Sequence, residues 1–319
     1  MVELAADWRT KCSVTRALSS AGDSAPLLAL FPFSFSDIAV LLDRSPAFGR
    51  VAELAPMLAS EYVFGSQVAR PVQLGAALFM IGHHMAPTVL LVHGAFADGS
   101  AWNGVLSKLT GAGVPARAVA NPLRGLTLDG EYVKSVVSQI DGDVVLVGHS
   151  YGGSVISYAG STAENVKALV FVGAFGLDQG ENAQNATADF PEVPLGPALQ
   201  PWTYPGSELP EFTLQVDQYR NVFAADLPEW QSALGAQTQR PVSALALGEP
   251  LAVAPAWKRL PSWWVAGTAD NAIHPEYQKA SAAKIGADLT LLEGGSHSIA
   301  VSRPHEVADV IMKAVHAAS

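Results

Sequence analysis

Apolar residues recur in short unbroken runs from about residue 88 onward, each closed by glycine, proline or a polar turn. "TVLLVHG" (88–94), "DVVLVGHS" (143–150) and "VKALVFVGAF" (166–175) are such runs, of strand length and without apolar/polar alternation. "VPARAVANP", "SWWVAGTAD" and "DLTLLEGGSH" are further strand candidates. A run that is apolar at every position predicts a strand buried on both faces, as in a parallel sheet. Between the runs the period changes. "AWNGVLSKLTGAG" places Trp102, Val105, Leu106 and Leu109 at helical spacing and stops at glycine. "GEYVKSVVSQID" and "YGGSVISYAG" predict two more helices, and "RPHEVADVIMKAVHAA" a closing amphipathic one. Strands alternating with helices predict an α/β architecture, a mostly parallel sheet flanked by helices.

Two regions break the rhythm. Residues 1–84 mix apolar fragments with Ser, Pro and Gly and form no clear βα unit, so they read as an N-terminal extension, with an extra domain as the alternative, to a main domain spanning 85–319. From about 176 to 248 the chain is rich in Pro, Gly, Gln and aromatics, with "FTLQVDQYRNVFAADL" and "PEWQSALGAQTQ" helical in appearance. This interval predicts a helical lid inserted between two sheet strands, above their C-terminal ends.

Composition narrows the function classes. A hydrophobic share of 49% suits a protein with a sizeable core. A net charge of −10 without a basic run argues against nucleic-acid and anionic-membrane partners. A single cysteine, Cys12, allows no internal disulfide, and no Cys/His cluster has zinc spacing, so neither metal nor cofactor is expected. No apolar run reaches membrane-spanning length. "APLLALFPFSFSDIAVLL" is interrupted by Pro32 and Asp37. "VQLGAALFMIG" would pass for a short secretory core if translation began later; the expectation is cytoplasmic. Oligomeric state is not legible.

The chemistry concentrates at Gly148-His149-Ser150-Tyr151-Gly152, which fits G-x-S-x-G between a predicted strand and a predicted helix. Such a turn forces the serine into unfavourable backbone angles and needs small neighbours, so Ser150 is the candidate nucleophile. A serine hydroxyl needs a base. Of eight histidines, His297 follows the last predicted strand, where its loop would overhang the sheet edge, whereas His93 and His149 flank glycine turns and read as structural. The candidate for the group that holds the imidazole is Asp270, after the fifth strand, with Asp178, after the fourth, as the competitor, while Asp288 reads as the start of a strand. Two backbone N–H groups should bind the oxyanion: Tyr151, and Ala95 from the turn after the first strand, with Phe96 the alternative.

From Met85 onward, "LVHGAF", "LVGHSYGG", "GTADNAIHPEYQ" and "GGSHSIAVSRPHEVADVI" together resemble the α/β-hydrolase superfamily, in the branch of small carboxylesterases, plant-type methylesterases, hydroxynitrile lyases and cofactor-free haloperoxidases. The resemblance implies the α/β-hydrolase fold, Ser150, Asp270 and His297 as catalytic residues, Ala95 and Tyr151 as oxyanion donors, and no cofactor. Gly94 and Ser298 stand where the lyases typically carry Thr and Lys, which favours ester hydrolysis over cyanohydrin cleavage. The leading expectation is a serine carboxylesterase acting on small to medium apolar esters, with Phe96, Trp202 and Trp230 as candidate substrate contacts. The alternatives are a perhydrolase using the same residues and a non-catalytic binding member of the fold.

Overall fold

A computed structural model of the protein describes residues 86–319. The predicted extension, 1–84, lies outside the described residues. All six predicted strands form, as β1 (Thr88–Val92), β2 (Ala116–Val119), β3 (Val144–His149), β4 (Val166–Val172), β8 (Ser262–Gly267) and β9 (Asp288–Leu292). They make one sheet, in the order β2-β1-β3-β4-β8-β9, with every pair parallel.

The unbroken apolar runs follow from this arrangement. Successive strand residues point to opposite faces, and here each face has its own core. Leu90, Val92, Leu146, Leu169 and Phe171 belong to one cluster, while Val89, Leu91, Val145, Val147 and Val170 belong to the other. Helices α1 (Asn103–Gly111) and α9 (Pro304–Ala318) supply Val105, Leu109, Val307 and Ile311 to the second cluster. Helices α2 (Leu126–Val137), α3 (Gly152–Ala159) and α7 (Pro275–Ile285) cover the first. Helix α2 begins four residues before the start read from the sequence. The carboxylate of Glu249, far along the chain, accepts from the Thr127 N–H (3.1 Å) and hydroxyl (2.6 Å) and so caps the helix from outside.

The insertion between β4 and β8 corrects the expectation of a helical segment. It contains a three-stranded antiparallel sheet of β5 (Leu199–Trp202), β6 (Glu211–Leu214) and β7 (Val242–Ser243). Helices α4 (Val216–Phe223), α5 (Glu229–Thr238) and α6 (Ala244–Gly248) complete it. The stretch read as one helix from Phe212 to Leu227 is therefore split. Phe212–Leu214 pairs as strand, and the helix starts only at Val216. Among the described residues, no helix is long and apolar enough to cross a membrane.

Strand order reverses at β1. The chain runs from β1 outward to β2, then returns to place β3 on the other side of β1. In open α/β sheets the crevice at the carboxyl ends of strands flanking such a reversal is where ligands bind. The register sets Val92 opposite Gly148, so the turns after β1 and β3 lie side by side at that point.

Candidate active site

Ser150 sits between the end of β3 and the start of α3 with φ of 54°, a left-handed conformation that serine rarely adopts. Holding it there costs roughly 1–3 kcal/mol. The surroundings over-determine it. The Ser150 N–H donates to the Val172 carbonyl (3.1 Å), and the Ser150 carbonyl accepts from the N–H groups of Gly153 (3.0 Å) and Phe175 (3.2 Å). The turn is also crowded. A Cβ on Gly152 would fall 2.5 Å from the Val92 carbonyl oxygen, and one on Gly94 would fall 2.6 Å from the Ser150 Cβ and 2.8 Å from the His149 carbonyl oxygen. The turn after β1 is thus pressed directly against the serine, which only glycine at 94 permits.

That turn is pinned from behind by His93. Its Nε2 accepts the Asn121 N–H (3.0 Å) and its Nδ1–H donates to the Gly94 carbonyl (2.9 Å), while Asn121 Nδ2 donates to the His93 carbonyl (3.0 Å). Burial lowers the His93 pKa, in keeping with a neutral ring. Beyond it come Ala95 and Phe96, the latter also left-handed (φ 59°). The N–H groups of Ala95 and Tyr151 donate to no protein acceptor among the described residues. Both residues border the cavity that Ser150 borders.

His297 and Asp270 meet from two loops at the same sheet edge. The Nδ1–H of His297 donates to Oδ2 of Asp270 (2.8 Å), and both side chains are buried. The other oxygen of Asp270 accepts the N–H groups of Ala272 (2.8 Å) and Ile273 (2.9 Å), and Oδ2 also accepts from Gln278 Nε2 (2.8 Å). Gln278 is itself fixed by the Ile273 carbonyl (2.9 Å) and by the Trp264 indole, which donates to its Oε1 (3.3 Å). The imidazole packs against two rings, Phe223 (centroids 4.8 Å apart) and His149 (4.7 Å), which also touch each other edge to face (6.0 Å). His149 Nε2–H donates to the His297 carbonyl (3.0 Å), and burial, with the neighbouring His297, pushes the His149 pKa down to about 3. His149 is a neutral brace. Asp178 lies elsewhere, its carboxylate 2.6 Å from Lys258 Nζ at the surface, and Asp288 pairs with Lys313 (3.5 Å).

The cavity that contains Ser150 and His297 has a volume of about 730 Å³. Its walls are mostly apolar, with Phe175, Phe190, Leu195, Phe212 and Leu247 among them. Glu192 and His274 are ionisable groups on the lining, and no lysine or arginine lies there among the described residues. Of the three aromatic residues expected to contact substrate, only Phe96 borders this cavity. Trp202 is 53% exposed and donates its indole N–H to Thr213 (2.8 Å); Trp230 is 66% exposed and borders a different cavity. Among the described residues no group of three His, Cys, Asp or Glu side chains forms a metal site.

Sequence reading missed three residues at this site. Gln278 closes the quoted stretch "GTADNAIHPEYQ", but nothing in the sequence gave it a role. Phe223 was one aromatic among many in the insertion. Asp129, in the first turn of α2, is fully buried and accepts the Tyr151 hydroxyl (2.8 Å) and the Arg124 N–H (3.0 Å). Burial pushes its carboxyl up, and burial together with Asp129 pushes the Tyr151 phenol up.

The comparisons agree with this architecture. Residues 89–310 match the model of the Alpha/beta hydrolase family. No curated protein matches the chain at a significant level. Among solved structures, a methylesterase from Arabidopsis has a TM-score of 0.61 at 19% identity, covering 72% of this chain and 99% of its own. Polyneuridine aldehyde esterase has a TM-score of 0.62 at 21% identity, covering 71% and 98%. A pyrethroid hydrolase from Sphingobium faniae JZ-2 has 0.59 at 17%, covering 72% and 97%. These likenesses concern the fold. With a family model matched over more than half its length, on a parallel sheet whose strand–serine–helix turn sits at the reversal of strand order, the chain belongs to the alpha/beta hydrolase family.

Proposed function

We propose that the protein is a serine carboxylesterase acting on uncharged, apolar carboxylic esters of small to medium size. The observation that carries this reading is the convergence on one cavity of a strained serine, a histidine hydrogen-bonded to a buried aspartate, and two backbone N–H groups without protein acceptors.

Each part has a task. Ser150 Oγ attacks the ester carbonyl as its proton passes to Nε2 of His297. The Nδ1–H held by Asp270 leaves Nε2 as the basic nitrogen, and the carboxylate stabilises the imidazolium that forms. The carbonyl oxygen gains a negative charge, which the N–H groups of Ala95 and Tyr151 receive in a site shielded from water. Collapse of the tetrahedral intermediate breaks the C–O bond, and His297 returns its proton to the departing alcohol. Water, deprotonated by the same imidazole, then releases the acid and restores Ser150.

The lining supports the substrate class. A cavity of about 730 Å³ falls in the range of small-molecule sites, and walls without lysine or arginine among the described residues offer a substrate carboxylate no permanent cation. The names of the structural neighbours, esterases and a pyrethroid hydrolase, fit the same reading. The insertion, which supplies Phe190, Leu195, Phe212 and Phe223 to the cavity, acts as the lid.

The test is covalent and kinetic together. A fluorophosphonate should label Ser150 stoichiometrically, and Ser150→Ala should lose both the label and about 10⁶-fold in kcat on p-nitrophenyl acetate. Saturable ester binding without turnover or labelling would instead make this a binding member of the fold.

A further inference from the structure

A second cavity, of about 430 Å³, adjoins the one that holds Ser150. Phe96 and Phe223 are the two residues common to both linings, and neither Ser150 nor His297 reaches the second. The partition is therefore two phenyl rings, packed edge to face with centroids 6.1 Å apart. No backbone hydrogen bond need break for a ring to turn aside. Phe223 also rests on the His297 ring at 4.8 Å, so the partition adjoins the imidazole.

The second cavity lies beside the histidine, between the loop that carries it and the turn after β1, from which Phe96, Ala97, Asp98 and Ser100 line it. Its walls include His149, whose ring is tilted at 47° to that of His297 with centroids 4.7 Å apart, and Ser298, the next residue in the chain after His297. Ala95 and Tyr151 border only the first cavity. In ester cleavage the general acid must reach the leaving oxygen, so the alcohol half departs on the side of the imidazole and away from the oxyanion donors. The lining fits an alcohol as well. His149 spends its Nε2–H on the His297 carbonyl, which leaves Nδ1 as a hydrogen-bond acceptor in a ring that borders the cavity. Trp102, Leu227 and Val301 supply apolar wall, Ser100, Asn103, Gln231 and Thr238 polar wall, and Asp98 is the one carboxylate; no lysine or arginine lies on it among the described residues.

We infer that this second cavity receives the alcohol half of the ester, with the acyl half in the larger cavity and the Phe96–Phe223 pair as the partition that the alcohol passes. The inference rests on the esterase reading above. It deepens that reading by assigning a substrate class: neutral esters in which both halves are apolar and the alcohol is well above methanol in size.

The test is a matrix of esters, with methyl, butyl and benzyl alcohols on one acid and methyl esters of acids of graded length. It compares the wild type with Ala101→Phe and Gln231→Trp, which fill the second cavity from two separate elements, so that misfolding of one leaves the other. A lost apolar contact is worth roughly 10–200-fold in discrimination, so both variants should lower the benzyl-to-methyl ratio of kcat/KM by about tenfold or more. The profile across acyl lengths should keep its wild-type form. An unmoved alcohol ratio, or a change confined to acyl length, overturns the inference while leaving the esterase reading intact. A wild-type protein that cleaves no ester and resists the fluorophosphonate overturns both.

Discussion

Asp270 and Asp178 each follow a strand of the same sheet, and only their surroundings tell them apart. Asp270 is buried, spends one oxygen on two backbone N–H groups and turns the other to Gln278 and His297. Asp178 is a surface acid whose pKa the Lys258 ammonium lowers. Asp270→Asn should lower kcat by about 10⁴-fold, because an amide no longer fixes the imidazole tautomer, whereas Asp178→Asn should stay within about twofold of wild type. Steady-state ester kinetics check both, and a crippled Asp178→Asn would sink the assignment. Strand order and motif singled out Ser150, His297 and Asp270 as candidates, and the fold sets the first two on one cavity with the third hydrogen-bonded to His297. Gln278 and Asp129 were not singled out, because their roles depend on which way one side chain of a helix faces, and that is set by packing against residues far away in the sequence.

The paired histidines also carry a stability signature. His149 is neutral in the fold, its pKa held at about 3 by burial first and by His297 second, against 6.5 ordinarily. Below pH 6.5 the unfolded chain binds a proton that the folded chain refuses. The contribution is thus complete above 6.5 and shrinks by about 1.4 kcal/mol per pH unit as the pH falls towards 3. His93, also lowered by burial, acts with the same sign. Urea melts at pH 7, 6 and 5 should show this loss. His149→Gln, which keeps a donor for the His297 carbonyl, should flatten the slope by about one proton's worth. Identical slopes would mean that His149 is protonated in the folded protein.

Among the elements, the sheet was the readable part and the insertion was not. A strand covered on both faces must be apolar throughout, and that pattern survives in the bare sequence. β5 holds Pro201 and is half exposed, and β6 has four residues, too few for a period to register. Their pairing comes from each other across the insertion, with Leu199 opposite Leu214. Aromatic richness likewise identified a packed segment without saying which rings face inward, so Trp202 and Trp230 were singled out where Phe223 and Phe190 line the site. The centre of the sheet yields its own prediction. Phe171 and Trp264 are cross-strand partners on β4 and β8, stacked at 5.0 Å with 12° between planes, and both are fully buried. Phe171→Ala should cost about 3–5 kcal/mol, read as a lower urea midpoint with an unchanged slope.

At the scale of the molecule, the six-stranded sheet is built entirely from residues after Met85. All six strands of the parallel sheet and, among the described residues, the helices on both faces and the side chains at the cavity fall between residues 88 and 319. The family model begins at residue 89. Solved members of the fold are covered over 97–99% of their own length by about 72% of this chain, so the later part alone spans their whole architecture. Among the described residues, both apolar faces of the sheet are packed against helices from the same part of the chain. A chain started at Met85 should therefore express in soluble form and unfold in one cooperative transition by circular dichroism, with ester kcat/KM within about threefold of the full-length protein, less than 1 kcal/mol in transition-state stabilisation. Insolubility, a broad transition without a baseline, or a loss beyond about tenfold would place residues 1–84 within the working core of the enzyme.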